Sequence, residues 1–184
     1  MVDLGLPSGT LWATCNIGAN SPEENGDYFA WGETAPKDNY EWFTYKWYAN
    51  YKLTKYYSKD GKTELEPEDD AAYVNWGPSW QMPSLEQVNE LIDSCTWQRT
   101  TINGVVGQLA TGPNGNTLFL PATGYYYNDD LYKSGNLGIY WTRTLHSSNA
   151  NVALTLYFNS EYTYRNNSDR CSGVTVRAVR VSQE

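Results

Sequence analysis

His146 is the only histidine in the chain. It stands in the polar run LHSSN, and no GxSxG elbow elsewhere supplies a serine partner, so it reads as a surface imidazole. The three cysteines, Cys15, Cys95 and Cys171, are widely separated and show no metal-ligand spacing. Their odd number leaves at least one thiol unpaired. Cys171 lies between Arg170 and Ser172, where a neighbouring cation would lower a thiol pKa, yet no base accompanies it. Asp129 and Asp130 are adjacent, so on a strand they point to opposite faces and make a poor glycosidase pair. The run Glu66-Pro67-Glu68-Asp69-Asp70 gathers carboxylates, but it reads first as a helix start. Proline suits the first helical position, and acids there complement the helix dipole. A calcium site would need more oxygen ligands than this run supplies. HExxH, P-loop and GxGxxG motifs are absent. The residue types predict no catalytic centre, no metal site and no cofactor.

Recognition is the chemistry they favour. Eight of the sixteen tyrosines fall between Gly124 and Arg170, with seven asparagines among them. Tyrosine supplies amphipathic contact area at low entropic cost, and asparagine and serine supply adaptable hydrogen bonds, as in an antibody paratope. The predicted ligand face begins with Tyr125, Tyr126, Tyr127, Asn128, Asp129 and Tyr132. Asn136, Ile139 and His146 extend it, and Tyr162, Tyr164, Arg165 and Asn166 complete it. Arg165 would add a planar donor or stacking surface. The competing reading is a tyrosine-rich sheet that merely meets solvent.

The chain has 184 residues, 40% hydrophobic and 18% charged, which fits one globular domain able to bury a full core. Net charge is −8, and 18 of the 21 acids precede residue 131. An acidic chain without a basic stripe is a poor nucleic-acid binder. No run approaches a membrane-spanning length, and Met1 leads directly into VDLGLPSGT without a signal-peptide pattern.

Residues 1–123 read as scaffold. Leu11 to Ile17 predicts an early strand after the Pro7-Ser8-Gly9 turn. Residues 37–62 form an aromatic insertion without a period of 2 or 3.6, expected to pack on its own side chains. Ser84 to Ser94 predicts an amphipathic helix with Ser84 as N-cap and Gln87 closing a capping box; Met82 is placed to staple onto Val88. Three strands follow in meander order. Thr96 to Ile102 turns at Asn103-Gly104 into Val105 to Ala110, which returns as Asn116 to Pro121. Gly138 to Leu145, Asn151 to Phe158 and Val174 to Val181 are later strands, separated by polar loops at 125–135, 146–150 and 159–172. The expected class is α+β, with small antiparallel sheets, one or two helices and long loops.

Seven motifs occur in order: VDLGLPSGTLWATCNIGA, GDYFAWGET, LEPEDDAA with VNWG, WQMPSLEQVNELI, GPNGNTLFLPATGY, GIYWT and SGVTVRAVR. Together they resemble the bacterial domain family named for its major paralogues in Fibrobacter succinogenes, common in gut Bacteroidetes. That resemblance implies a C-type lectin-like fold related to the formylglycine-generating enzymes, with N- and C-terminal strands adjacent. It also implies an extracellular, cell-surface or phage-particle location, and protein or carbohydrate partners. Some members are variable proteins of diversity-generating retroelements, which would make residues 124–181 a diversified binding segment. The enzymes of the branch use a cysteine pair near the C-terminus, whereas this chain has Cys171 alone there. The EPN, QPD and WND motifs of calcium lectins are absent. The expected function is therefore a non-enzymatic binding domain, with an adhesive or pilus-tip domain as the alternative.

Overall fold

The computed structural model describes residues 1–181. Its centre is a five-stranded mixed sheet in the order β13 (Thr163–Asp169), β12 (Val152–Phe158), β11 (Gly138–Leu145), β14 (Val174–Thr175), β3 (Tyr28–Phe29). Cross-strand partners share a face, so Ile139, Tyr157 and Tyr164 form one row, and Trp141, Thr155 and Asn166 the next. Tyr140, Leu156 and Arg165 form a row on the opposite face.

Two core clusters flank this sheet. Ile139, Trp141 and Ala153 meet Phe29, Trp31, Tyr56, Met82 and Val176 on one side. Tyr140, Leu156 and Phe158 meet Trp12, Leu118 and Leu120 on the other, along with Val88 and Leu91 of α2 (Leu85–Ser94). The capping box forms: Gln87 donates its N–H to Ser84 Oγ at 3.2 Å, and Ser84 donates its N–H to Gln87 Oε1 at 2.9 Å. Met82 and Val88 lie in different clusters, on opposite sides of the sheet, so the expected staple is replaced by two separate burials.

The meander forms as its turns predict, with β6 (Thr96–Ile102), β7 (Val105–Thr111) and β8 (Thr117–Pro121) in sequential order. Asn103 and Gly104 both take positive φ, the requirement of a tight two-residue hairpin. A third sheet joins the chain ends: β1 (Val2–Asp3), β2 (Thr10–Trp12) and β15 (Val179–Val181), with β2 between the other two. The strand expected over 174–181 is thus two strands in two sheets. Between them lies a fully buried crossing, where Arg177 donates to Asn16 Oδ1 at 2.7 Å and to the Ala13 and Thr14 carbonyls. Burial holds its guanidinium down at about 10.

Most of the aromatic insertion packs inward. Tyr40, Tyr45 and Tyr56 are buried, while a short 3₁₀ turn at Trp42–Thr44 and a minimal hairpin, β4 (Tyr48–Ala49) and β5 (Lys52–Leu53), carry the exposed Phe43 and Tyr51. The acidic run serves structure. Asp69 is buried and accepts from the Tyr56 hydroxyl at 2.6 Å and from Lys55 Nζ at 2.6 Å. Asp70 caps α1 (Ala71–Trp76), accepting from the Ala72 and Tyr73 N–H groups and from Met82 N–H. The described architecture is α+β, mainly sheet. None of its helices is long and apolar enough to cross a membrane.

Candidate functional site

The segment expected as a loop at 125–135 is a hairpin, β9 (Tyr125–Tyr127) paired with β10 (Asp130–Tyr132). Strand alternation divides its side chains. Tyr125, Tyr127, Asp130 and Tyr132 share one face, and Tyr126 and Leu131 share the other. Tyr125 and Tyr132 are direct cross-strand partners with rings stacked at 5.6 Å and 23°. Tyr126 turns inward, edge-on to Tyr28 at 4.9 Å and stacked on Tyr40 at 5.7 Å.

The hairpin is held at the middle of β9 and at its turn. Tyr126 and Gly173 exchange backbone hydrogen bonds of 2.8 and 2.9 Å, and Tyr40 and Asn128 exchange two of 2.8 Å. Gly124 enters with φ +64°, and a Cβ there would lie 2.2 Å from the Tyr132 carbonyl oxygen. Only glycine permits that approach.

Against the hairpin face opposite Tyr126 lies a cavity of about 290 Å³, lined by Tyr125, Tyr127, Tyr132, Ile139, Ser168, Asp169 and Ser172. Ile139 is 4% exposed and supplies an apolar wall. Asp169 has no ion-pair partner among the described residues. Asp169 is exposed at the end of β13, and partial desolvation of its carboxyl pushes its pKa up. The Tyr132 hydroxyl reaches Asp130 Oδ2 at 3.4 Å, and the nearby Asp130 charge raises its pKa.

The structure brings together Tyr125, Tyr127, Tyr132 and Ile139 of the expected face, and places Tyr164 and Asn166 on the same side of the central sheet. The others separate, each for a physical reason. Tyr126 is on the inner face of the hairpin. Asn128 and Asp129 make the connection between its strands, with Asn128 at φ +55°. Asn136 lies in the next turn, its N–H bound to the Lys133 carbonyl. Tyr162 is 64% exposed at the tip of the β12–β13 connection, where Asn159 Oδ1 accepts its N–H. Arg165 alternates to the α2 face and donates to Asn89 Oδ1 at 3.1 Å. His146 follows the far end of β11 and lines a separate cavity of about 410 Å³ with Tyr57, Lys62 and Ser148.

Ser168, Asp169 and Ser172 line the cavity but carry no local signal of it. Tyr157, whose ring lies 4.8 Å from that of Tyr164, also belongs to this face. The Cys171 thiol behaves contrary to its sequence neighbours. It is buried, and desolvation with the Asp169 charge pushes it up to about 12. Arg170 points away from it into the aromatic insertion. All three cysteines are free thiols. Among the described residues no group of three or more His, Cys, Asp or Glu side chains is placed to hold a metal ion.

Fold and site together define a mainly-sheet α+β domain with a tyrosine-walled cavity on one face. Residues 82–179, just over half of the chain, match the family described as Domain of unknown function (DUF8237), and the chain belongs to that family. The match runs from just before α2 to the start of β15, so it includes the hairpin and every residue lining the cavity. No curated protein and no solved structure matches the chain.

Proposed function

We propose that this domain is a non-enzymatic binding module of C-type lectin-like fold, displayed outside the cell, that takes a protein or glycan ligand on its tyrosine face. One observation carries the reading: a hairpin pinned by four backbone hydrogen bonds presents Tyr125, Tyr127 and Tyr132 over a cavity. Rigid aromatic anchors beside adaptable polar groups favour recognition, because little entropy is lost when they engage. The sheet joining β1, β2 and β15 supports the lectin-like fold, whose chain ends meet. Gly124, Gly138, Trp141 and Phe158 are buried between the exposed positions, as framework residues of a diversified segment would be. A reverse-transcriptase gene beside a near-copy of the gene's 3′ end, differing only at adenines, would support diversification; absence of such a copy would remove it.

The test of binding is an array of glycans and surface proteins probed with the labelled domain and with Tyr127→Ala/Tyr132→Ala. The expected outcome is a signal that the double variant loses. A signal unchanged by both substitutions would move the site elsewhere.

A second reading has its own support. β13 is an edge strand that carries the exposed Tyr164, with exposed Tyr162 just before it, and an unpaired edge invites a second copy. A concentration-dependent dimer abolished by a proline within β13 would favour this adhesive role.

A further inference from the structure

We propose that the cavity on the Tyr125–Tyr127–Tyr132 face of the β9–β10 hairpin takes a cationic alkylammonium group, of the kind a lysine or methyl-lysine side chain carries. The inference rests on the binding role proposed above and names the chemistry of its ligand.

Three tyrosine rings line this cavity, with Tyr125 and Tyr132 already stacked against each other. Ring faces carry negative quadrupole density and attract cations, most strongly where water is displaced. Asp169 adds a carboxyl group without an ion-pair partner among the described residues to the same lining. Asp130 lies on the cavity side of the hairpin, next to Tyr132.

The basic residues of the segment are mostly engaged elsewhere. Arg143 pairs with Glu64 at 3.0 Å, Arg165 binds Asn89 on the opposite sheet face, and Arg170 is buried among Trp31, Tyr45 and Tyr56. The remaining basic side chains between residues 124 and 170 are Lys133, exposed on the turn after β10, and His146, which lines the separate cavity.

Size sharpens the choice. At about 290 Å³ the cavity is at the lower edge of ordinary ligand pockets, suited to one side chain rather than an extended molecule. Ile139 offers an apolar wall for an alkyl stem, while Asp169, Ser168 and Ser172 offer acceptors for a charged head. The net charge of −8 would steer a cationic ligand toward the domain at low salt.

The test is an NMR titration of the ¹⁵N-labelled domain. The probes are N-acetyl-lysine methylamide, its trimethylated form, the neutral norleucine analogue, and glucose and galactose. Both lysine probes should shift the Tyr127, Tyr132 and Asp169 amides, and the shifts should weaken with salt. Asp169→Asn should lower lysine-probe affinity about tenfold, and Tyr132→Ala should weaken the trimethylated probe, both with an unchanged melting temperature. Norleucine and the sugars should leave these amides in place. Equal shifts from norleucine or a sugar, or an Asp169→Asn domain that binds the lysine probes normally, would overturn the assignment. If the lysine probes fail while an array ligand maps to Tyr127 and Tyr132, the cation inference falls and the binding role stands. If neither the probes nor any array ligand maps there, both fall.

Discussion

Arg170 donates its Nε–H to the Tyr45 hydroxyl oxygen, 3.0 Å away and 125 residues distant in sequence. The same guanidinium donates to the carbonyls of Tyr56, Ala150 and Lys55 at 2.7–2.9 Å, and its Cζ lies 5.0 Å from the Trp31 ring centroid. Among the described residues no carboxylate bonds to this fully buried cation; carbonyl dipoles and ring faces replace its water. The end of β13 is thereby fastened to the insertion, and the insertion in turn holds the hairpin through Tyr40.

Arg170→Ala should therefore cost about 3–5 kcal/mol, because it leaves buried acceptors unpaired and opens a void. Arg170→Lys should recover only part of this, since an ammonium cannot reproduce the planar fork. Urea denaturation measures the loss, and limited proteolysis should show new cleavage within residues 37–62. A protease-resistant insertion in Arg170→Ala would show that the clip is not what holds it.

Alternation along β9 makes neighbouring tyrosines behave oppositely. Tyr126→Ala removes a ring packed on Tyr28 and Tyr40 and should cost about 2 kcal/mol without touching the outer face. Tyr127→Ala removes an outward ring and should stay within about 0.5 kcal/mol of wild type while reducing ligand capture. Thermal melts and the array read both quantities. Equal destabilisation by the two substitutions would contradict the hairpin register.

This division was not readable from the sequence, and the reason is specific. The helix at Leu85–Ser94 and the meander after it announce themselves because capping and turn chemistry are local. β13 reads TYRNNSD, which has no apolar alternation because an edge strand exposed on both faces buries too little to need one. Its pairing with β12 along seven registered residues comes from the partner's pattern, Val152 to Phe158. Once β13 is a strand, Tyr164, Asn166 and Ser168 part from Arg165, and Ser168 reaches the cavity. The split of 174–181 between two sheets was equally hidden, since its β-branched run suits either sheet alone. The cavity's tyrosines were visible as composition, whereas which of them face it is set by pairing.

Acid should weaken one identifiable network. Glu66 accepts from Lys55 and Lys62, and these contacts hold its carboxyl down at about 2, against an ordinary 4.5. A depressed carboxylate contributes stability that is present above 4.5 and lost as pH falls toward 2. Glu66→Gln should thus lower the melting temperature at pH 6, with the gap to wild type closing through that window. Both partners are partly exposed, so added salt should also narrow the gap. Asp70 works in the other direction, because burial raises its pKa and keeping it ionised costs stability as pH rises. A gap between Glu66→Gln and wild type that widens on acidification would be inconsistent with this network.

Thiol chemistry distinguishes a recognition domain from a cysteine-dependent oxidase. A nucleophilic cysteine needs thiolate at working pH. Cys171 is buried beneath the aromatic insertion, packed with Tyr28, Tyr40 and Tyr45, and its thiol is pushed up to about 12. Cys95 is also buried, and its pKa is raised by desolvation first and by Glu90 second. Cys15 is the half-exposed thiol of the three. Under native conditions at pH 8, iodoacetamide should therefore modify Cys15 alone, and Cys171 should react only after unfolding. Mass spectrometry of tryptic peptides reads this directly. Cys171→Ala should leave ligand capture intact, while Cys171→Asp, which forces a charge into the Tyr40–Tyr45 cluster, should unfold the insertion. Rapid native labelling of Cys171 would reopen a catalytic role for that thiol, because only an accessible thiolate reacts at that rate.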